Sequence, residues 1–254
     1  MDKDNTVSVI MPAYNAEKFI RYSIESVLNQ SFEDWELLII DDHSSDNSYS
    51  IAMDYSSKDH RIKVLKTDAP SGSPAEPRNL GISLAKGTFI AFLDSDDIWL
   101  PSKLAEQIVL LMQNESTVIV YADYEKIDEE GNSGDRIIRA PSQVEYKELL
   151  KGNVIACSTA LVDLRKIKEL CFEKQGHEDY ALWLKALRLT QGQARNTGTI
   201  QMLYRVRQGS ISSNKWKAVQ WVWRIFRKNE GLSFSSSLYY LTHTLARSFM
   251  KFIK

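Results

Sequence analysis

Three carboxylates, Asp94, Asp96 and Asp97, follow five apolar residues in "FIAFLDSDDIWLP". A second acidic cluster, "DDHSSDNS", begins at Asp41 and Asp42 directly after the apolar run "WELLII". Either cluster alone could be a solvated turn or a helix cap. Brought to adjacent strand ends, the two repel each other unless a cation or a hydrogen-bond donor lies between them. A hard divalent ion with carboxylate and water ligands, bridging substrate phosphates, is the usual way to neutralise such a site. Carboxylates there can also accept hydrogen bonds from a ribose or a base. No GxxxxGK loop and no GxGxxG follows any apolar run, so the familiar phosphate loops are excluded. No GxSxG elbow is present, and His43, His60, His177 and His243 lack the spacing of a zinc site. What remains is a metal-and-nucleotide site built from acids and arginines.

The elements able to present these groups alternate along the first half of the chain. Apolar runs at 7–12, 35–42, 61–67, 88–94 and 116–123 predict strands, and helical patterns cover 16–30, 47–57, 76–85 and 101–114. Apolar runs separated by helices predict an α/β fold, a Rossmann-like, mostly parallel sheet sandwiched by helices. Ligands of such sheets bind beyond the carboxyl ends of the strands, which singles out Pro12 to Asn15, Asp41 to Asp46 and Asp94 to Asp97. The charged stretch "EKIDEEGNSGDR" predicts a hairpin or surface loop. Further on, "HEDYALWLKALRL" aligns Tyr180, Trp183, Leu184 and Leu187 on one helical stripe. Glu178 and Asp179 at its start suit the helix dipole, or a functional role.

At 254 residues the chain can bury a core of its own, and 43% hydrophobic and 26% charged residues are ordinary for a globular protein. The net charge is −1, yet residues 215 to 254 hold eight basic residues against Glu230 alone, a local +7. An acidic body argues against nucleic acid, and a basic tail points to an anionic membrane surface. In the tail, Trp216, Val219, Val222, Trp223 and Phe226 share one helical face, and Leu238, Leu241, Leu245, Phe249 and Phe252 form a second stripe. Basic amphipathic helices rich in Trp and Phe suit a membrane interface, the competing reading being that they pack on the main domain. Residues 1–213 are expected as one domain, with 1–123 the nucleotide-binding half and 124–213 the acceptor half, and 214–254 as the helical tail. Cys157 and Cys171 make neither a disulfide framework nor a metal site, and "MDKDNT" is unlike a secretory signal. No apolar run approaches a spanning helix, so the expectation is a cytoplasmic protein lying peripherally on the inner face of the cell membrane.

The joint order of five segments is more specific than any of them alone. "VSVIMPAYNAEKFIRYSIESVLNQSF", "LLIIDDHSSDNS", "PAEPRNLGISLAKGTFIAFLDSDDIWLPSKL", "GHEDYALWL" and "YRVRQGSIS" resemble family 2 glycosyltransferases of the GT-A fold, across residues 7 to 213. The resemblance implies that Pro12, Ala13 and Tyr14 line the nucleotide base, that Asp42 hydrogen-bonds it, and that Arg78 helps hold the base or the diphosphate. Asp94, Ser95 and Asp96 fall on the family's DxD motif, which implies Asp96 on a Mn²⁺ or Mg²⁺ ion and Asp94 nearer the ribose, also within reach of the metal. Asp97 is left as a further ligand or a structural cap, and Asp179 falls where the family carries its catalytic base.

The implied reaction is inverting, metal-dependent transfer of a single sugar from a nucleotide-sugar, UDP-linked by expectation. The implied acceptor is a polyprenyl-diphosphate-linked saccharide of bacterial O-antigen, capsule or exopolysaccharide synthesis. One departure concerns "YRxHxxS": this chain has Arg207 where many relatives have histidine, which removes a metal ligand and supplies a cation for the diphosphate. No QxxRW motif follows, which argues against a processive synthase. The alternative is a catalytically silent nucleotide-sugar-binding subunit of a membrane glycosylation complex. A sugar-nucleotide pyrophosphorylase would need a Gly- and Arg-rich loop after the first strand, and "PAYNAE" lacks it.

Overall fold

The structure, a computed structural model, describes residues 5–167, 169–207 and 215–253. The side chains of Phe249 and Phe252, two members of the second tail stripe, lie outside the described residues, as do 208–212 of the "YRVRQGSIS" segment. Strand β1 (Val7–Ala13) is buried along its whole length because it pairs in parallel with β2 (Trp35–Asp41) on one side and with β4 (Phe89–Phe92) on the other. Strand β3 (Ile62–Lys66) extends the parallel sheet beyond β2. On the other side, β9 (Leu161–Asp163) runs antiparallel to both β4 and β6 (Thr117–Ile127). Strand β10 (Gln193–Arg205) then pairs in parallel with β6, and β5 (Ile98–Trp99) and β8 (Gln143–Val144) add to it in antiparallel sense. The charged stretch after β6 is a hairpin, as its composition predicts, with β7 (Ser133–Ile138) returning along β6.

Successive residues of a strand face opposite sides. Val7, Val9 and Met11 of β1 pack with helix α1 (Ile20–Leu28), α2 (Ser48–Lys58) and α4 (Lys103–Met112). Ile10 faces the other layer, with α3 (Ala75–Leu84) and α6 (Glu178–Thr190). Helix α3 sits close on β1, since a Cβ built on Gly81 would lie 2.6 Å from Ile10 Cγ2. That close approach fixes the helix whose first turn carries Arg78. A short helix, α5 (Tyr146–Leu149), also joins the second layer.

The sequence pattern and the structure differ in four places. Strand β10 is unmarked in the sequence, because its half-buried, polar composition is interrupted by a bulge at Asn196–Ile200. Strands β5 and β9 are only two and three residues long. The two acidic clusters end β2 and β4, so β1 lies between them and they are not on adjacent strands. Finally, the first tail helix, α7 (Lys215–Arg224), turns its apolar face onto the domain. Val222 and Phe226 of the predicted stripe, with Ile225, join the core around Tyr180 and Trp183, whereas Trp216 remains 82% exposed. The stripe therefore divides between a domain-facing part and a free end. Helix α8 (Phe234–Ile253) packs through Tyr240 and Leu241 and exposes Phe234, Leu238 and Leu245.

Truncating Phe226, which is fully buried, is expected to cost about 3 kcal/mol or more, as for other buried aromatic side chains. Trp216→Ala is expected to stay within roughly 0.5 kcal/mol of the parent protein. Urea unfolding of the two variants measures both.

Candidate active site

The carboxyl ends of β1, β2 and β4 open into a cleft of about 440 Å³. From β1 and the residue after it come Pro12, Ala13 and Tyr14, the last 59% exposed on the rim. Asp42 contributes from the end of β2, Arg78 from α3, and Asp94, Ser95 and Asp96 from the turn after β4. Arg207 closes the opposite edge. All nine residues singled out as nucleotide-sugar or metal contacts thus border one cavity. The remaining wall is Pro70, Gly72, Ser73 and Pro74 from the β3–α3 loop and Pro77 from the first turn of α3. Its signal in the sequence was the Pro- and Gly-rich punctuation of "APSGSPAEP".

Asp42 holds this loop in place. Its Oδ1 accepts from the Ser71 backbone N–H at 2.8 Å and from the Thr67 hydroxyl at 2.8 Å, and its Oδ2 from the Ser71 hydroxyl at 2.8 Å. Burial by itself would raise the Asp42 pKa, but these donors outweigh it and leave the carboxyl below its ordinary value. Neither Thr67 nor Ser71 stood out in the sequence.

Arg78 is almost fully buried, and its Nη2 donates to Asp94 Oδ1 at 2.5 Å. Its Nη1 lies 3.9 Å from Glu178 Oε2, at the start of α6. Burial opposes the charge on the guanidinium, but Asp94 and further acids around it dominate and hold the pKa above the ordinary value. Its Nε finds no acceptor among the described residues. Glu178 was read beside Asp179 as a helix-dipole charge or a functional group, and its contact with Arg78 is a tertiary fact that spacing does not carry.

The three acids after β4 separate by environment. Asp97 is buried and its Oδ1 accepts from the Arg205 backbone N–H at 3.1 Å. Of the two readings left open for it, the structure favours the structural cap. Asp96 points to the cleft edge, where Arg207 Nη1 meets its Oδ2 at 3.1 Å. Burial first, and then the neighbouring charge of Asp94, raises the Asp96 pKa. Arg205 secures the turn, donating from Nε to the Asp96 carbonyl at 3.1 Å and from Nη1 to the Asp128 carbonyl at 3.0 Å. Among the described residues no three His, Cys, Asp or Glu side chains gather as a metal cluster. Asp94 and Asp96 are the two carboxylates of this turn that border the cleft, each paired with an arginine.

Asp179 is partly buried and does not border the cleft. Asn153 Nδ2 donates to its Oδ2 at 3.0 Å. Burial raises the Asp179 pKa, and His177, Arg78 and the Asn153 hydrogen bond pull against that rise without cancelling it. The cleft thus gathers Asp42, Arg78, Asp94, Asp96 and Arg207, while Asp179, a carboxyl with a raised pKa, stands outside its lining.

The family model described as glycosyl transferase family 2 matches residues 8–167, more than half of the chain. The chain belongs to that family. This family 2 transferase is 42% identical over 222 residues to the Escherichia coli UDP-Glc:alpha-D-GlcNAc-diphosphoundecaprenol beta-1,3-glucosyltransferase WfgD, covering 87% of this chain and 85% of that protein. It is 36% identical over 230 residues to the putative teichuronic acid biosynthesis glycosyltransferase TuaG of Bacillus subtilis, covering 90% of each chain. Among solved structures, S. aureus TarS 1–349 in complex with UDP-GlcNAc superimposes with a TM-score of 0.73 at 21% identity, over 96% of this chain and 73% of that one. The Pyrobaculum calidifontis mannosyltransferase PcManGT in complex with GDP-Man and Mn2+ gives 0.65 at 15% identity, over 94% and 73%. The fold of this glycosyltransferase is GT-A.

Because Asp97 is buried and hydrogen-bonded while Asp96 reaches the cleft, Asp97→Ala is expected to cost about 2 kcal/mol. Asp96→Ala is expected to change stability by no more than roughly 0.5 kcal/mol. Urea midpoints of the two variants check the assignment independently of activity.

Proposed function

We propose that this protein is an inverting, metal-dependent transferase that moves one hexose from a UDP-sugar to a polyprenyl-diphosphate-linked saccharide in bacterial surface-polysaccharide synthesis. The observation that carries this reading is the cleft in which Asp42, the Arg78–Asp94 pair and the Asp96–Arg207 pair meet. The names of the E. coli relative support UDP-glucose as donor and a GlcNAc-diphosphoundecaprenol as acceptor.

Pro12, Ala13 and the exposed ring of Tyr14 supply an apolar edge on which a uracil can rest, next to the Asp42 carboxylate. Arg78 and Arg207 place positive charge where the diphosphate leaves, which stabilises the charge that develops on the leaving oxygens. Asp94 and Asp96 fit a hard cation, since their mutual repulsion is relieved by one and their oxygens are the ligands it prefers. When bound there, Mn²⁺ or Mg²⁺ supplies further neutralisation of the diphosphate. An acceptor hydroxyl is a poor nucleophile at neutral pH, and Asp179 takes its proton as the hydroxyl attacks the anomeric carbon. One displacement on the face opposite the diphosphate inverts the configuration.

Asp179→Asn is expected to lower kcat on the order of 10²- to 10⁴-fold while UDP still binds in calorimetry. Full turnover in Asp179→Asn rejects the base. The base acts only when ionised, and its pKa is raised, so the acid limb of kcat/KM lies above the ordinary carboxylate range near ~4. Asn153→Ala removes a hydrogen bond to the charged form and moves that limb to still higher pH. Nucleoside diphosphate release over a panel of nucleotide-sugars tests the donor, and a silent binding subunit releases none.

Among the described residues no helix is long and apolar enough to cross a membrane. We place the acceptor at an anionic membrane surface met by the exposed Trp216, Phe234, Leu238 and Leu245 among the basic residues of the tail. Deleting the tail would strip Phe226 from the core, so point changes are the cleaner test. Trp216→Glu with Phe234→Glu is expected to reduce flotation with phosphatidylglycerol vesicles, and binding of the parent protein is expected to weaken as salt rises.

A further inference from the structure

Residues 173–180 carry Glu178 and Asp179, and three side chains of the tail hold this segment. Asn229 Nδ2 donates to Glu173 Oε2 at 2.8 Å. The Phe226 ring lies 6.3 Å from that of Tyr180, centre to centre. The Trp221 ring meets His177 edge to face at 5.3 Å. The indole also lies against Gly176, where a built Cβ would fall 2.4 Å from Trp221 Cδ2, so only glycine leaves room for the ring there.

The turn beneath the indole is itself unusual. Gly176 has φ 77° and the next residue, His177, has φ 49°. A non-glycine residue in the left-handed region is strained and persists only where its surroundings over-determine it. Here the surroundings include a ring from a helix some forty residues later in the chain. Immediately after this turn come Glu178, 3.9 Å from Arg78, and Asp179, held by Asn153 from the other side.

We infer that Trp221 is a positioning residue for the transfer reaction: its ring clamps the Gly176–His177 turn and so sets where the Asp179 carboxylate stands relative to Arg78 and Asp94. The inference rests on the reading of Asp179 as the base. Trp221 does not border the donor cleft, so its effect reaches the chemistry through the turn. A purely packing role would lower stability and leave turnover per folded molecule alone. A positioning role lowers kcat with donor affinity intact, because displacing a reacting group by an ångström costs on the order of 10²-fold.

The test compares Trp221→Ala, Trp221→Phe, Gly176→Ala and Asp179→Asn in the full-length protein. The substrates are UDP-glucose and GlcNAc-diphosphoundecaprenol, or the pair that the parent protein turns over in the donor screen, with UDP binding measured by calorimetry. Trp221→Ala is expected to bind UDP within about threefold of the parent and to lose kcat by roughly 30- to 100-fold. Trp221→Phe keeps a ring over Gly176 and recovers most of the turnover, whereas Gly176→Ala pushes the indole away and behaves like Trp221→Ala. If Trp221→Ala fails to melt cooperatively, Trp221→Leu takes its place in the comparison. Turnover in the Trp221 variant within about threefold of the parent, with Asp179→Asn inactive, overturns the clamp alone. So does a loss of UDP affinity as large as the loss of kcat. Full turnover in Asp179→Asn overturns the base and the clamp with it.

Discussion

A buried guanidinium governs the geometry of this protein. Arg78 sits on the first turn of α3, under the mouth of the sheet, and burying its charge is costly unless acids share the site. Asp94 at 2.5 Å and Glu178 at 3.9 Å are those acids, and they come from the end of β4 and the start of α6. One side chain thereby ties together the helix that lies on β1, the acidic turn and the helix that bears Asp179. Removing either acid would leave an incompletely compensated charge in the interior. The constraint also runs outward, because Asp94 can serve a ligand only from the orientation that Arg78 allows.

The cleft is largely preformed. Asp42 binds Ser71 and Thr67 through three hydrogen bonds, which fixes the β3–α3 loop as a wall before any ligand arrives. Arg205 fixes the opposite side by holding the backbone of the acidic turn. A donor entering such a cleft does not have to order its walls, so less of its binding free energy is spent on organisation.

The first half of the fold was legible because its strands are unbroken apolar runs and its helices follow at regular intervals. Strand β10 was not, since Gln193, Arg195, Asn196 and Thr197 give it the composition of a loop and only pairing with β6 makes it a strand. In the site, motif residues could be named from sequence because their types and order are distinctive. Their partners could not: Asn153, Ser71 and Glu178 meet the motif residues across gaps of 26, 29 and roughly a hundred positions. The tail shows the limit of amphipathicity as a signal. A helical apolar face reports that something covers it, and Val222 and Phe226 are covered by the chain itself while Trp216 is not.

The packing of Phe226 against Tyr180 has a consequence for the order of assembly. The core around Tyr180 and Trp183 leaves the ribosome about forty residues before Val222, Ile225 and Phe226 follow. Until they do, the nascent chain presents an uncovered apolar face beside a nearly complete sheet, the kind of surface that chaperones shield and that drives aggregation. The segment that covers this face is thus among the last parts of the core to be synthesised, so the face stays open through most of translation.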